Sequence, residues 1–289
     1  MIRAGDDPPG LRAALVGLRG LLIDADGVLV LRGAAIPGSA DAIARLDELG
    51  IPYRVITNYS SRHRETLAAR LAEDGIVVPA GRIITAASAS ADYLRTRYPG
   101  QAAFVITAPD ALREFEGVRL LSRDEVDAGA LAAAVALGDA GDDLPFRDLD
   151  RIFGLIRGGA ELVAMHRNPW WFTPRGVTLD SGALVAGLEY ATGRRATVIG
   201  KPSAGLFRAG LAGLAGDLGL RRLPALAVGM AGDDLLADIL AARRLGLRGF
   251  LVLTGKHGRD DVERVASRRR GTRPDAIVPS LADLVAALD

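Results

Sequence analysis

Short apolar runs alternate with stretches of helical periodicity along almost the whole chain. Leu21–Ile23 reads as a strand that ends at Asp24, and Tyr53–Thr57 as a second. Further strands are expected at Ile83–Ile84, Ala103–Ile106, Leu162–Met165, Thr197–Ile199, Ala225–Val228 and Phe250–Leu253. Between them the apolar positions recur at helical spacing. Ser39–Leu49 is closed by Gly50, a second helix runs from near Ser61 to before Gly75, and a third covers Ala86–Tyr98. Phe146, Leu149, Ile152, Phe153 and Ile156 mark a helix that Gly158 and Gly159 end, and Ala183–Thr192 is followed by Gly193. Runs apolar on both faces, each followed by a helix, are the pattern of a parallel sheet covered by helices. The expected fold class is therefore α/β, with a doubly wound parallel sheet.

Length and composition narrow this. At about 100–200 residues per domain, 289 residues make two domains or one with a large insertion. There is no internal repeat, and the loop Gly138–Pro145 reads as part of one domain. The absence of cysteine excludes a disulfide scaffold, a Cys-ligated metal and a thiol nucleophile. A net charge of +1 gives no electrostatic footprint for nucleic acid. No apolar run reaches the ~18 residues that a membrane span needs, and Met1–Pro9 lacks the apolar stretch of a signal peptide. A cytoplasmic protein without nucleic-acid or membrane partners is expected. Of 36 basic residues only Lys201 and Lys256 are lysine. A lysine kept in so arginine-rich a chain suggests a place where a compact ammonium fits and a guanidinium fork does not.

Four polar positions follow four of the expected strands: Asp24-Ala25-Asp26-Gly27, Thr57-Asn58, Gly200-Lys201-Pro202, and Gly232-Asp233-Asp234 with Asp238. Loops at the carboxyl ends of strands in a doubly wound sheet meet in a crevice. Crowded carboxylates there require a cation. An all-oxygen set with few protein ligands suits Mg²⁺, which keeps waters and accepts a substrate phosphate oxygen. Thr57 and Lys201 are anion holders, so the composite fits a phosphate monoester. An Asp carboxylate can attack phosphorus once metal and lysine offset the charge. A P-loop is excluded by Pro202 and by the lack of a Gly five residues before Gly200, and no serine nucleophile elbow is present.

These four segments resemble the motifs of the haloacid dehalogenase superfamily. The likeness extends through Gly159–Ala164, Gly182–Ala186 and Val198–Ser203. There it is similar to the subfamily of NagD-type nucleotidases, para-nitrophenyl phosphatases and pyridoxal phosphate phosphatase. Met165-His166-Arg167, Leu188–Thr192 and Thr254-Gly255-Lys256 lean toward the branch with phospholysine phosphohistidine inorganic pyrophosphate phosphatase. The resemblance implies a Rossmann-like core (residues 1–85 and 192–289) with an inserted α/β cap domain (residues 86–191), possessing Mg²⁺-dependent phosphatase activity on a small phosphorylated metabolite.

It also implies roles. Asp24 is the nucleophile that forms an aspartyl phosphate, and Asp26 is the acid and then the base. Asp24, the Asp26 carbonyl and Asp233 are the metal ligands. Thr57, Asn58 and Lys201 hold substrate, and Asp238 stands behind the ligands, orienting metal waters or Lys201. In the cap, His166 and Trp171 are candidate substrate contacts, and relatives imply a homodimer through the cap. Asp180 reads as a helix N-cap. Gly229-Met230-Ala231 lengthens the approach to Gly232-Asp233, and the strand is expected to continue through Met230 and Ala231. A non-catalytic phospho-receiver is the alternative from another class, disfavoured by the long Thr57–Lys201 interval. A dehalogenase is the alternative enzyme.

Overall fold

A computed structural model describes residues 10–141, 144–173 and 176–288. Met1–Pro9 and the Asp142–Asp143 portion of the expected 138–145 loop lie outside the described residues. The chain divides into two units. One comprises Met1–Thr57, Ala68–Ile84 and Lys201–Asp289, the other Asn58–Leu67 and Thr85–Gly200.

The first unit is built on a six-stranded sheet in the order Ala276–Val278, Arg248–Val252, Val228–Gly232, Gly20–Ile23, Tyr53–Thr57, Ile83–Thr85. Gly20–Ile23 is fully buried and pairs in parallel with Val228–Gly232 on one side and Tyr53–Thr57 on the other. From this strand the chain winds outward to one edge and later returns to build toward the other. The reversal lies between Gly20–Ile23 and Val228–Gly232, where the diverging connections leave a crevice at the carboxyl ends. Helix Ala204–Asp217 approaches the sheet closely because it carries glycine where a side chain would intrude. A Cβ at Gly210 would press on Leu22, and one at Gly213 on the Arg54 guanidinium. Arg54, 8 % exposed, is offset by Asp217 at 2.5 and 2.8 Å and by the Gly213 carbonyl at 3.0 Å.

The second unit has a five-stranded parallel sheet in the order Thr197–Val198, Glu161–Ala164, Ala134–Leu137, Ala102–Ile106, Arg119–Leu120. Alternate side chains enter two cores. Ala103, Val105, Ala134, Ala136 and Val163 pack with Ala87, Ala91 and Leu94 of helix Ala86–Arg97. Phe104, Ile106, Val135, Leu137 and Leu162 pack with Ile152 and Ile156 of Phe146–Arg157 and with Val185 and Leu188 of Gly182–Thr192. Burial on both faces erases the period-two pattern and leaves continuous apolar runs. An antiparallel hairpin, Trp170–Thr173 with Gly176–Leu179, completes the described part of this unit.

Several expectations shift. Ala225–Ala227 is a 3₁₀ turn, and the strand is Val228–Gly232, so it does run through Met230 and Ala231. Gly229 sits inside it because a Cβ there would overlap the Phe250 ring on the neighbouring strand. Thr197–Val198 belongs to the second unit's sheet rather than the first's. Ala134–Leu137 and the hairpin are strands that the apolar pattern did not reveal.

Candidate active site

Three adjacent strands of the first unit deliver polar residues at the same end. Asp24 follows Gly20–Ile23, Thr57 closes Tyr53–Thr57, and Asp233 follows Val228–Gly232. The register aligns them, since Ile23 is opposite both Val55 and Ala231. Lys201 arrives differently from the expectation: it stands three residues before helix Ala204–Asp217, which packs on the sheet. Asp238 lies within Leu235–Leu240, a π-helical turn whose Ile239 N–H reaches back to the Asp234 carbonyl at 3.2 Å.

The Lys201 ammonium lies 2.6 Å from Asp24 Oδ1 and 2.8 Å from Asp238 Oδ1. Asp24, Asp233 and Asp238 are all buried and each presents an oxygen within 4.8 Å of the others. Asp24 also accepts from the Ala25 N–H at 2.7 Å, and Asp238 Oδ2 from the Asp234 N–H at 3.1 Å. Asp26 is half-buried in the turn after Asp24, where Gly27 donates to the Val30 carbonyl at 2.7 Å. Gly27 has φ +75°, and a Cβ on either Gly27 or Gly255 would overlap Asp233 Oδ2.

Burial pushes the Asp24 carboxyl up to about 7, with Lys201 pulling the other way and Asp233 adding to the rise. Asp233 is raised by burial and by Asp238, and Asp238 by burial against the pull of Lys201. Burial works against the Lys201 ammonium, but Asp238 and Asp24 outweigh it and hold it charged. Three carboxylates around one ammonium leave negative charge in a dry place. A hard cation offsets such charge, and the all-oxygen donor set suits Mg²⁺ or Ca²⁺.

Residues 21–120 match the haloacid dehalogenase-like hydrolase family, and residues 198–284 match a HAD-hydrolase-like family. Haloacid dehalogenase-like hydrolase domain-containing protein 2 of Homo sapiens is 31% identical over 254 residues, 88% of this chain and 91% of that one. The chain belongs to the haloacid dehalogenase-like hydrolases. Phospholysine phosphohistidine inorganic pyrophosphate phosphatase of Bos taurus is 30% identical over 277 residues, 94% of each chain. The p-nitrophenyl phosphatase from Archaeoglobus fulgidus superposes with a TM-score of 0.81 at 27% identity, covering 93% of this chain and 99% of its own. Glycerol phosphate phosphatase from Mycobacterium tuberculosis, solved in complex with calcium, gives a TM-score of 0.79 at 27% identity, covering 94% of this chain and 76% of its own.

The remaining sequence candidates of this hydrolase lie in the second unit. Asn58 donates from Nδ2 to Asn168 Oδ1 at 3.1 Å. His166 is 3 % exposed, with Nε2 at 3.0 Å from Ser60 Oγ and 3.3 Å from Ser181 Oγ, so it is part of that unit's interior. Trp171 lies half-buried on the hairpin. It is opposite Thr178, whereas Trp170 and Phe172 stand on the other face, paired with Leu179 and Val177. Asp180 precedes the N-cap position, which Ser181 occupies. It accepts from the Ser181 N–H at 2.7 Å, and burial raises its pKa. Among the described residues the sequence reading gave no role to Asp234 or Thr254. Lys256 donates to Asp233 Oδ2 from its backbone N–H at 2.7 Å and to Asp234 Oδ2 from Nζ at 2.8 Å. The scarcity of lysine in the sequence and the resemblance carried by Thr254-Gly255-Lys256 both pointed to it.

Proposed function

We propose that this hydrolase is a phosphatase acting on a small phosphorylated metabolite through an aspartyl phosphate on Asp24. The observation that carries the reading is the contact of one buried ammonium, Lys201, with both Asp24 and Asp238, beside Asp233. The first unit is then the hydrolase core and the second an inserted cap. Asp24 attacks phosphorus while the bond to the leaving oxygen breaks, and Asp26 gives that oxygen its proton. Asp26 then takes a proton from the water that attacks the acyl phosphate, which releases phosphate and restores Asp24. Lys201 and Thr57 hold the phosphoryl oxygens, and Asp238 keeps Lys201 in place. Asp24, the Asp26 carbonyl and Asp233 would hold Mg²⁺, which when bound supplies charge that offsets the phosphoryl group.

Similarity to enzymes named for nitrophenyl phosphate, glycerol phosphate and phospholysine or phosphohistidine supports a phosphoryl substrate and leaves its leaving group to the cap. Trp171 is the cap residue assigned to that contact. The apolar face of Trp170, Phe172, Val177 and Leu179 supports pairing of two copies through this unit, with Val177 and Leu179 at 65 % and 71 % exposure. Steady turnover of para-nitrophenyl phosphate with Mg²⁺ tests the reading. Labelling that stops after one phosphoryl group per chain would instead make it a phospho-receiver.

A further inference from the structure

The segment Thr254–His257, which follows strand Arg248–Val252, is fastened to the carboxylate cluster at several points. Thr254 Oγ1 donates to the Gly27 carbonyl at 2.5 Å, and the His257 N–H to the Asp233 carbonyl at 3.2 Å. Lys256 grips two neighbouring carboxylates, since its N–H reaches Asp233 Oδ2 at 2.7 Å and its ammonium Asp234 Oδ2 at 2.8 Å. The other oxygen of Asp234 accepts from the Leu236 and Ala237 N–H groups at 2.7 and 3.0 Å. Both Asp234 oxygens are thereby engaged, and the mutually close set comprises Asp24, Asp233 and Asp238 without it. Gly255 is compatible with this because any Cβ there would overlap Asp233 Oδ2.

We infer that Lys256 is a positioning residue for the divalent cation. Its ion pair with Asp234 anchors the segment whose backbone amide occupies Asp233 Oδ2, which fixes the Asp233 carboxylate and leaves its other oxygen for the cation. The inference rests on the cation reading of the Asp24–Asp233–Asp238 cluster and adds a residue outside the four motifs. Groups that orient metal ligands are ordinarily worth about 10–100-fold in metal affinity. An ammonium held by Asp234, a carboxylate outside the mutually close set, suits that role. It pins the loop without entering the cation's own coordination.

The test is calorimetric titration with MgCl₂ alone, without substrate, on four folded proteins: wild type, Lys256→Met, Asp234→Asn and the double variant. Lys256→Met is expected to weaken Mg²⁺ binding by about 10–100-fold. In the Asp234→Asn background the same substitution is expected to change it by no more than about threefold, because the partner it acts through is already gone. Mg²⁺ half-saturation in turnover should shift in parallel, with kcat at saturating Mg²⁺ held within about threefold, as expected of a loss confined to cation binding. Equal losses from Lys256→Met in both backgrounds, or unchanged Mg²⁺ affinity, overturn the inference. If Lys256→Met alone does not fold, the double variant compared with Asp234→Asn decides, and a further tenfold loss there overturns it. Wild-type protein that binds no Mg²⁺ overturns the cation reading itself and this inference with it.

Discussion

Ser60 Oγ and His166 Nε2 lie 3.0 Å apart in the interior of the second unit, while His166 Nδ1 is buried with no hydrogen-bond partner among the described residues. Burial lowers the His166 pKa against the opposing pull of Asp180 and Asp139. The folded value therefore lies below the ordinary one, about 6.5. Between the two the unfolded chain binds more protons, so stability rises with pH there and is lost as pH falls below about 6.5. Melting temperatures from pH 7 to pH 5 should fall more steeply for the wild type than for His166→Asn. Parallel curves would remove the histidine from that slope.

Asp24→Asn should lower turnover of para-nitrophenyl phosphate by at least ~10³-fold, the scale of losing a nucleophile or a central electrostatic group. Activity within tenfold of wild type would take Asp24 out of the nucleophile role.

Lys201→Ala leaves Asp24 and Asp238 buried without their shared ammonium. Breaking a buried ion pair from one side costs about 3–5 kcal/mol. Urea denaturation at pH 7 without Mg²⁺ should show a loss of that order. A change below about 1 kcal/mol would mean that the two carboxylates are already neutral and the pairing is of little consequence.

Chelation with EDTA should abolish activity, and Mg²⁺ should restore it. Ca²⁺ should bind and inhibit, since it accepts about 6–8 oxygens in loose geometry where Mg²⁺ demands an octahedron. Mg²⁺ at about 100 times its Kd should also stabilise the fold by about 2.7 kcal/mol. Full activity after exhaustive chelation would rule the cation out.

Trp171→Ala should lower kcat/KM for para-nitrophenyl phosphate by roughly 10–100-fold, as lost contact with an aromatic leaving group would. Acetyl phosphate, too small to reach that contact, should be hydrolysed nearly as before. Equal loss on both substrates, or a lowered melting temperature, would make Trp171 a packing residue.

The candidate site of the first unit was legible because its residues sit where strands end. Asp24, Thr57 and Asp233 each close an apolar run, and a run followed by an acid or hydroxyl is visible without any structure. Ala134–Leu137 escaped because alanine dominates its surroundings and carries no strand preference. The start of Val228–Gly232 was placed three residues early because the apolar Ala225–Ala227, a 3₁₀ turn, reads as strand, while Gly229 stands inside the strand because a Cβ there would overlap the Phe250 ring. The hairpin at Trp170–Leu179 was not among the expected strands, so which of its aromatics share a face was not read from the sequence. Lys256 drew notice by rarity, but its partners come from a loop about twenty residues earlier in the chain, a proximity that no local pattern encodes.

Gly27 and Gly255 both close on Asp233 Oδ2, each with a hydrogen where other residues carry carbon. The carboxylate thus occupies space that two other residues leave open by lacking a side chain. A single methyl at either place displaces a charge, so alanine, the mildest of substitutions elsewhere, is disruptive there. In a saturation library scored by turnover, both glycines will rank with Asp233 although neither has a functional group. Tolerance at these positions measures steric room around the carboxylate.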